Sequence, residues 1–249
     1  MFLTRSQLAL FAQATKKAVL DTLFPLRCLG CGRGGHWICP PCASRIERRL
    51  DQECPLCRHH LTPLGATCFS CRDSTPSSLD GVFVVAHYHD PLMSRALHTY
   101  KYRFIPDLAL PLGQLLIDSL SRSALPLPDV LIPVPLHPRR LRYRGFNQSA
   151  LLAHILGEEL APGLTLPVLE DVLVRTRFTK PQMKTESREE RLENLRDAFA
   201  IAPNQESLIK GRNIWLIDDV ATTGTTLEEC AQILKSHGAR SVWGIVLAR

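Results

Sequence analysis

An α/β fold built on a mostly parallel sheet flanked by helices, preceded by a small cysteine-rich domain, is the architecture this 249-residue sequence predicts. Three observations carry that prediction. Beyond residue 79, apolar runs of strand length alternate with stretches of helical period, as in strand–helix–strand units. One such run, Ile214-Trp215-Leu216-Ile217, ends in two acids and passes through a Thr/Gly loop into a helix. Before residue 79, eight of the nine cysteines stand in four Cys-x-x-Cys pairs.

The composition, 45% hydrophobic and 22% charged, is that of an ordinary globular protein, and 249 residues suffice for one or two domains with a proper core. The formal charge of +6 is uneven. Residues 1–78 hold 10 Lys+Arg against 5 Asp+Glu, whereas residues 79–249 hold 20 against 19. The excess therefore sits in the N-terminal third, where an anionic partner and a solvated surface are equally compatible with charge alone. No run of eighteen apolar residues marks a membrane span. Arg5, Gln7, Gln13, Lys16 and Lys17 interrupt any signal-peptide core, so a cytoplasmic location is expected.

Residues 1–24 are expected to carry an amphipathic helix over 6–24, with Leu10, Phe11, Ala14, Ala18, Leu20, Leu23 and Phe24 on its apolar side. Residues 25–78 hold the pairs Cys28/Cys31, Cys39/Cys42, Cys54/Cys57 and Cys68/Cys71. Each pair can chelate from one knuckle, and two pairs complete a tetrahedral thiolate shell, so two structural metal ions are expected. Zinc is favoured over a disulfide framework, which needs an oxidising compartment. An iron–sulfur cluster would accept the same four thiolates. Short intervals favour joining first with second and third with fourth, and an interleaved pairing stays open. Closed four-cysteine sites leave no position for substrate, so the metal is read as structural. His36, His59 and His60 are read as surface residues. Arg45, Arg48, Arg49 and Arg58 make the module basic enough to meet nucleic acid or protein.

Residues 73–80 read as a linker, and 79–249 as the second domain. Strands are expected over 81–88, 129–135, 172–174, 198–201, 214–219 and 242–248. Helices are expected over 91–103, 107–121, 148–160, 186–197 and from 225 to His237, with Gly238 as the stop. The strand at 129–135 stops at proline, and a basic loop follows in which Arg139, Arg140, Arg142 and Arg144 fall within six residues. Its arginines, with Tyr143 and Phe146, also suit single-stranded nucleic acid by charge and stacking.

The stretch Ile217-Asp218-Asp219-Val220-Ala221-Thr222-Thr223-Gly224-Thr225-Thr226 is where chemistry concentrates. Backbone N–H groups at the helix start have no intrahelical partner, and with the dipole they attract anions. The threonines add hydroxyl donors, and Gly224 admits a close approach of backbone to ligand. A phosphate cradle beside two carboxylates suits a phosphorylated sugar. No Gly-Lys-Ser/Thr is present, which argues against a P-loop triphosphatase.

At these residues the sequence resembles the 5-phosphoribosyl-1-pyrophosphate (PRPP) motif of type I phosphoribosyltransferases. Nearly the whole chain resembles the ComF/GntX family, through the four-pair cysteine module, Lys101-Tyr102, Pro133-Val134-Pro135, Arg144-Gly145-Phe146-Asn147-Gln148, Thr179-x-x-Gln182, Arg191 with Asn194, and the diacid motif. The resemblance implies a double zinc ribbon followed by a type I phosphoribosyltransferase domain, in a protein linked to competence, DNA uptake and use of imported DNA. It implies PRPP binding with Mg²⁺, with Asp218, Asp219 and Lys101 at the reacting centre. Val220 through Thr226 would take the 5-phosphate. Arg139, Arg140 and Arg144 would take pyrophosphate, and a hood loop over 175–182, with Gln182, would close over the sugar. Thr222 stands where the 6-oxopurine enzymes place an aspartate for the base, so a hypoxanthine or guanine acceptor is disfavoured. The other reading is a non-catalytic adaptor that holds single-stranded DNA or a nucleotide and docks a helicase or other DNA-processing protein through its ribbons.

Overall fold

A computed structural model describes residues 26–74, 77–178 and 198–249. The helix expected over 6–24, the helix over 186–197 and Gln182 lie outside the described residues. Two compact units divide the chain, one ending at Arg45 and the other spanning Ile46–Arg249.

In the first unit, a knuckle turn is closed by the Gly32 N–H donating to the Cys28 carbonyl at 2.8 Å, with Gly32 at φ +75°. The short helix α1 (Pro40–Ala43) starts on proline, which is pre-set for a first helical turn.

The second unit begins with a hairpin. The Cys54 N–H donates to the His60 carbonyl at 2.9 Å, and the Thr62 N–H to the Gln52 carbonyl at 2.8 Å. Its knuckle closes through the Arg58 N–H on the Cys54 carbonyl at 3.1 Å, and Cys71 rides on the short helix α2 (Phe69–Ser74). This hairpin is hydrogen-bonded to strand β1 (Gly81–Ala86), which is buried throughout. The buried Gln52 amide donates to the Val84 carbonyl and accepts from the Val84 N–H, both at 2.9 Å. The Arg49 N–H adds a bond to the Val85 carbonyl at 2.8 Å. β1 is an edge strand, and an unpaired edge is a liability that these bonds remove.

After β1 come α3 (Pro91–Tyr102), capped by the Asp90 carboxylate on the Leu92 and Met93 N–H groups, and α4 (Ala109–Leu120). Then follow β2 (Val130–Pro133), α5 (Pro138–Arg144), α6 (Gln148–Glu159), β3 (Leu173–Arg175) and β4 (Phe199–Ile201). The domain ends with β5 (Asn213–Val220), α7 (Thr225–Ser236) and β6 (Ser241–Ala248). The main sheet has the order β1-β6-β5-β2 with every neighbour parallel, and β3 pairs antiparallel with β4 in a small second sheet. Four parallel strands buried by helices explain the near-continuous apolar runs of β5 and β6. Val82, Ile132, Leu216 and Val246 meet Leu227, Cys230 and Leu234 of α7 in one core. On the α4–α6 contact, a Cβ on Gly113 would lie 2.6 Å from Ile155 Cγ2, so only glycine permits that approach.

One expectation needs correction. The four arginines after β2 do not lie on an open loop. They lie on α5, whose start accepts the Arg139 N–H on His137 Nδ1 at 3.1 Å and whose end is Gly145 at φ +81°. Pro138 at the first helical position and Gly145 just past the end are helix punctuation that the charge run obscured.

Candidate functional site

Parallel strands present their ligand crevice at their carboxyl ends. There, β5 delivers Asp218 and Asp219 into a cavity of about 210 Å³ shared with the end of β2, the start of α6 and the end of α3. Asp219 is 4% exposed, and its Oδ1 is held by Lys101 Nζ at 3.0 Å. Its Oδ2 has no hydrogen-bond partner among the described residues. Asp218 Oδ1 accepts from Ser149 Oγ at 3.0 Å and from the Asp219 N–H at 2.8 Å.

Four cationic side chains, Lys101, Arg140, Arg144 and Arg175, line the same cavity against the two carboxylates, which makes it an anion site overall. Burial first, and Asp219 second, push the Asp218 carboxyl up to about 7. Burial pulls Lys101 down, but Asp219 and then Asp218 outweigh it and leave the ammonium above its ordinary value. Burial and then the Arg144 charge lower Arg140, and burial and then Arg140 lower Arg175. Crowded, partly buried arginines of this kind are relieved by a bound anion.

Gln148 is part of the wall. Its carbonyl accepts from Tyr100 Oη at 3.0 Å, and its Oε1 from Arg144 Nη1 at 3.0 Å. Its buried Nε2 has no partner among the described residues. Asn147 caps α6 through Ser149 N and donates from Nδ2 to the Val134 carbonyl at 3.1 Å. The helix start is thereby fixed to the end of the β2 strand.

The loop after the diacid opens α7 at Gly224, which has φ +81°. The Ala221 N–H bonds the Ala248 carbonyl at 3.1 Å, and Thr223 Oγ1 lies 2.7 Å from Thr225 Oγ1. Thr225 is buried and Thr226 faces the cavity. Of the residues singled out in the sequence, Asp218, Asp219, Lys101, Arg140, Arg144, Val220 and Thr226 line the cavity. Arg139 does not line it. Its guanidinium lies 5.4 Å from the centre of the Phe178 ring. Sequence reasoning passed over Ser149, and it took Gln148 only as part of a motif. Two polar residues in the first turn of a helix, just ahead of an apolar stretch and just after a basic run, were the available signal.

The eight paired cysteines gather in sequential order into two groups, Cys28, Cys31, Cys39 and Cys42, and Cys54, Cys57, Cys68 and Cys71. In each group the sulfurs lie within 4.8 Å of one another. Cys28 to Cys39 and Cys31 to Cys39 are 3.6 Å apart, and Cys57 to Cys68 is 3.8 Å. A tetrahedral shell with metal–sulfur bonds of about 2.3 Å has edges of roughly 3.8 Å, so both groups fit a metal ion. Burial opposes ionisation of Cys28, but the backbone N–H groups of Cys39, Cys31 and Gly30 prevail and bring it to about 6. The His59 backbone and then the His60 ring bring Cys57 to about 5. Cys42 and Cys71 go the other way, to about 12, Cys42 first through Cys39 and Cys71 first through burial. Such a group ionises fully only with a cation at its centre.

A parallel sheet of this order, with a diacid feeding a threonine loop at its carboxyl end, defines the type I phosphoribosyltransferase class of fold. Residues 150–249 match the phosphoribosyl transferase domain family. Competence protein F of Haemophilus influenzae is 30% identical over 90% of this chain and 98% of its own length. DNA utilization protein YhgH of Escherichia coli O157:H7 is 36% identical over 84% of this chain and 88% of its own. Competence protein ComFC of Bacillus subtilis is 30% identical over 85% and 84%. The chain belongs to the ComF family. Among the described residues no helix is long and apolar enough to cross a membrane.

Proposed function

We propose that this chain binds PRPP with Mg²⁺ in the cavity at the carboxyl ends of β2 and β5, and that it serves the uptake and use of DNA in the cytoplasm. The observation that carries the reading is the meeting of two carboxylates and four cations in one cavity whose wall also holds Thr226, at the end of the threonine loop. Asp218 and Asp219 hold the ribose hydroxyls or metal-bound water, and the orphaned Oδ2 of Asp219 suits that task. Mg²⁺ supplies charge neutralisation to the diphosphate when bound. The 221–226 turn takes the 5-phosphate. Arg140, Arg144 and Arg175 grip the pyrophosphate, for which the planar guanidinium fork is suited. In the transfer, the bond from the sugar C1 to pyrophosphate oxygen breaks with the electron pair leaving on pyrophosphate, and the acceptor supplies the pair for the new bond. Catalysis is then placement and charge stabilisation by these side chains. The two cysteine groups are read as zinc ribbons.

Calorimetry with PRPP and Mg²⁺ tests the reading. The double change Asp218→Asn, Asp219→Asn should weaken binding more than about a hundredfold, since two charge-assisted contacts are lost. Unchanged binding removes the proposal. Labelled PRPP incubated with and without single-stranded DNA, followed by pyrophosphate release, tests transfer itself.

A second reading rests on the surface beside the cavity. Tyr102 is 58% exposed and Tyr143 76%. The Arg144 guanidinium lies 5.8 Å from the Tyr102 ring centre, and Phe104 meets Tyr143 edge-on at 5.2 Å. Interleaved rings and arginines suit single-stranded DNA, and the ribbons would dock a helicase or other DNA-processing protein. Steep salt dependence of DNA affinity, flattened by Arg144→Ala, is expected. Failure to retain DNA at low salt excludes it.

A further inference from the structure

The two cysteine groups close the same knuckle turn but place different residues at its left-handed position. After the second cysteine of each leading pair, the chain turns left-handed. In the first group that residue is Gly32 at φ +75°, and in the second it is Arg58 at φ +58°. Both close the turn identically, N–H to the carbonyl of the first cysteine. A left-handed arginine is strained where glycine is at ease, and strain retained at one position directs attention to the side chain.

The Arg58 side chain leaves the knuckle. Its Nη2 donates to the Thr222 carbonyl at 2.7 Å, inside the 221–226 turn. A return contact runs from the sheet: Arg249 Nη2 donates to the Pro55 carbonyl, within the same knuckle, at 2.6 Å. The same Nη2 lies 3.7 Å from where a Cβ on Gly224 would be. Arg58 thus ties the knuckle to the turn, and Arg249, just past β6, ties the same knuckle to the sheet beside Gly224. No cis peptide bond occurs among the described residues, so C=O and N–H of each of these peptides point in opposite directions. Holding the Thr222 carbonyl toward the knuckle therefore turns the Thr223 N–H away from it.

We propose that Arg58 is a positioning residue for the phosphate turn, and that the metal held by Cys54, Cys57, Cys68 and Cys71 keeps it in place. Loading of the second metal then controls affinity for the 5-phosphate end of the ligand, and loading of the first does not. This rests on the reading of 221–226 as the phosphate turn.

The test uses the full, metal-loaded chain. Calorimetry compares ribose 5-phosphate, which reads the turn, with pyrophosphate, which reads the arginines of the cavity, each with Mg²⁺. Arg58→Gly should weaken ribose 5-phosphate and PRPP about tenfold, as loss of one charge-assisted hydrogen bond predicts, and leave pyrophosphate unchanged. Arg58→Lys should recover most of the affinity. Cys71→Ser should remove one of two metal ions and reproduce the loss, while Cys31→Ser should remove one and leave affinity intact. Wild-type affinity in Arg58→Gly, or equal losses for both ligands, overturns the proposal. If the wild-type chain binds no sugar phosphate, the reading of the site fails. Amide exchange across 221–226 still decides the brace: faster exchange in Arg58→Gly supports it, and equal exchange overturns it.

Discussion

The two cysteine groups are chemically alike and structurally unlike. Each has four sulfurs within 4.8 Å and a knuckle turn closed by the same backbone bond. The first belongs to the unit ending at Arg45 and uses glycine where the turn needs it. The second belongs to Ile46–Arg249, and its flanking residues do work for the sheet. Gln52 completes the β1 edge, Arg58 links the knuckle to the turn after the diacid, and Arg249 links it to the end of β6. The shared Cys-x-x-Cys pairing thus says nothing about what a metal site is fastened to. That depends on the residues between the ligands.

Four measurements sharpen or break this contrast. The largest effect is expected from metal loss. Cys71→Ser should lower the melting temperature of the Ile46–Arg249 unit by on the order of 10 °C, because metal-binding free energy is folding free energy and each kcal/mol moves a domain of this size by about 2–4 °C. Cys31→Ser should leave that transition where it is, and equal losses from both variants would erase the distinction.

Next comes Gln52→Ala, which strips the Val84 N–H and carbonyl of partners at a buried edge. A destabilisation of about 2 kcal/mol is expected by chemical denaturation. A change below about 0.5 kcal/mol would show that the edge is satisfied another way.

The third measurement is pH-dependent. The Asp218 carboxyl is held near 7 in the fold, well above its value in an unfolded chain. The folded form therefore binds a proton that the unfolded form has already lost, and this contribution to stability is present at low pH and disappears as pH rises through about 7. Asp218→Asn should accordingly stabilise the protein more at pH 8 than at pH 5, read as the difference in melting temperature. The opposite ordering would mean that the cavity cations keep Asp218 ionised.

The smallest effect separates the knuckles themselves. Gly32→Arg should destabilise the first unit, by about 1 kcal/mol, through left-handed strain, with no contact known to offset it. Local amide exchange around 28–34 reads that change, and a neutral result would remove the strain argument for Arg58 as well.

Much of the site was legible from residue order. The diacid, the threonine turn and the basic run each have a local chemical reason to be where they are, and they lie within short stretches of chain. Ser149 and the fixing of Gln148 by Tyr100 were not legible, because each depends on elements far apart in sequence meeting at the sheet's carboxyl end. Arg139 shows the opposite failure. Neighbouring arginines look alike in sequence, but on a helix successive residues point about 100° apart, so Arg140 and Arg144 share a face that Arg139 leaves.

Taken alone, the order of residues determined the parallel α/β class, the strand that carries Asp218 and Asp219, and the grouping of cysteines into chelating pairs. These follow from periodicity, spacing and side-chain chemistry, all of which are local. Folding in three dimensions decided which arginines face the carboxylates, and it tied the knuckle of the second cysteine group to the sheet. It also decided that a strained arginine in one knuckle reaches the turn 164 residues further on. Those outcomes come from strand order and packing, which bring distant segments within hydrogen-bond reach and leave no trace in the spacing of the residues themselves.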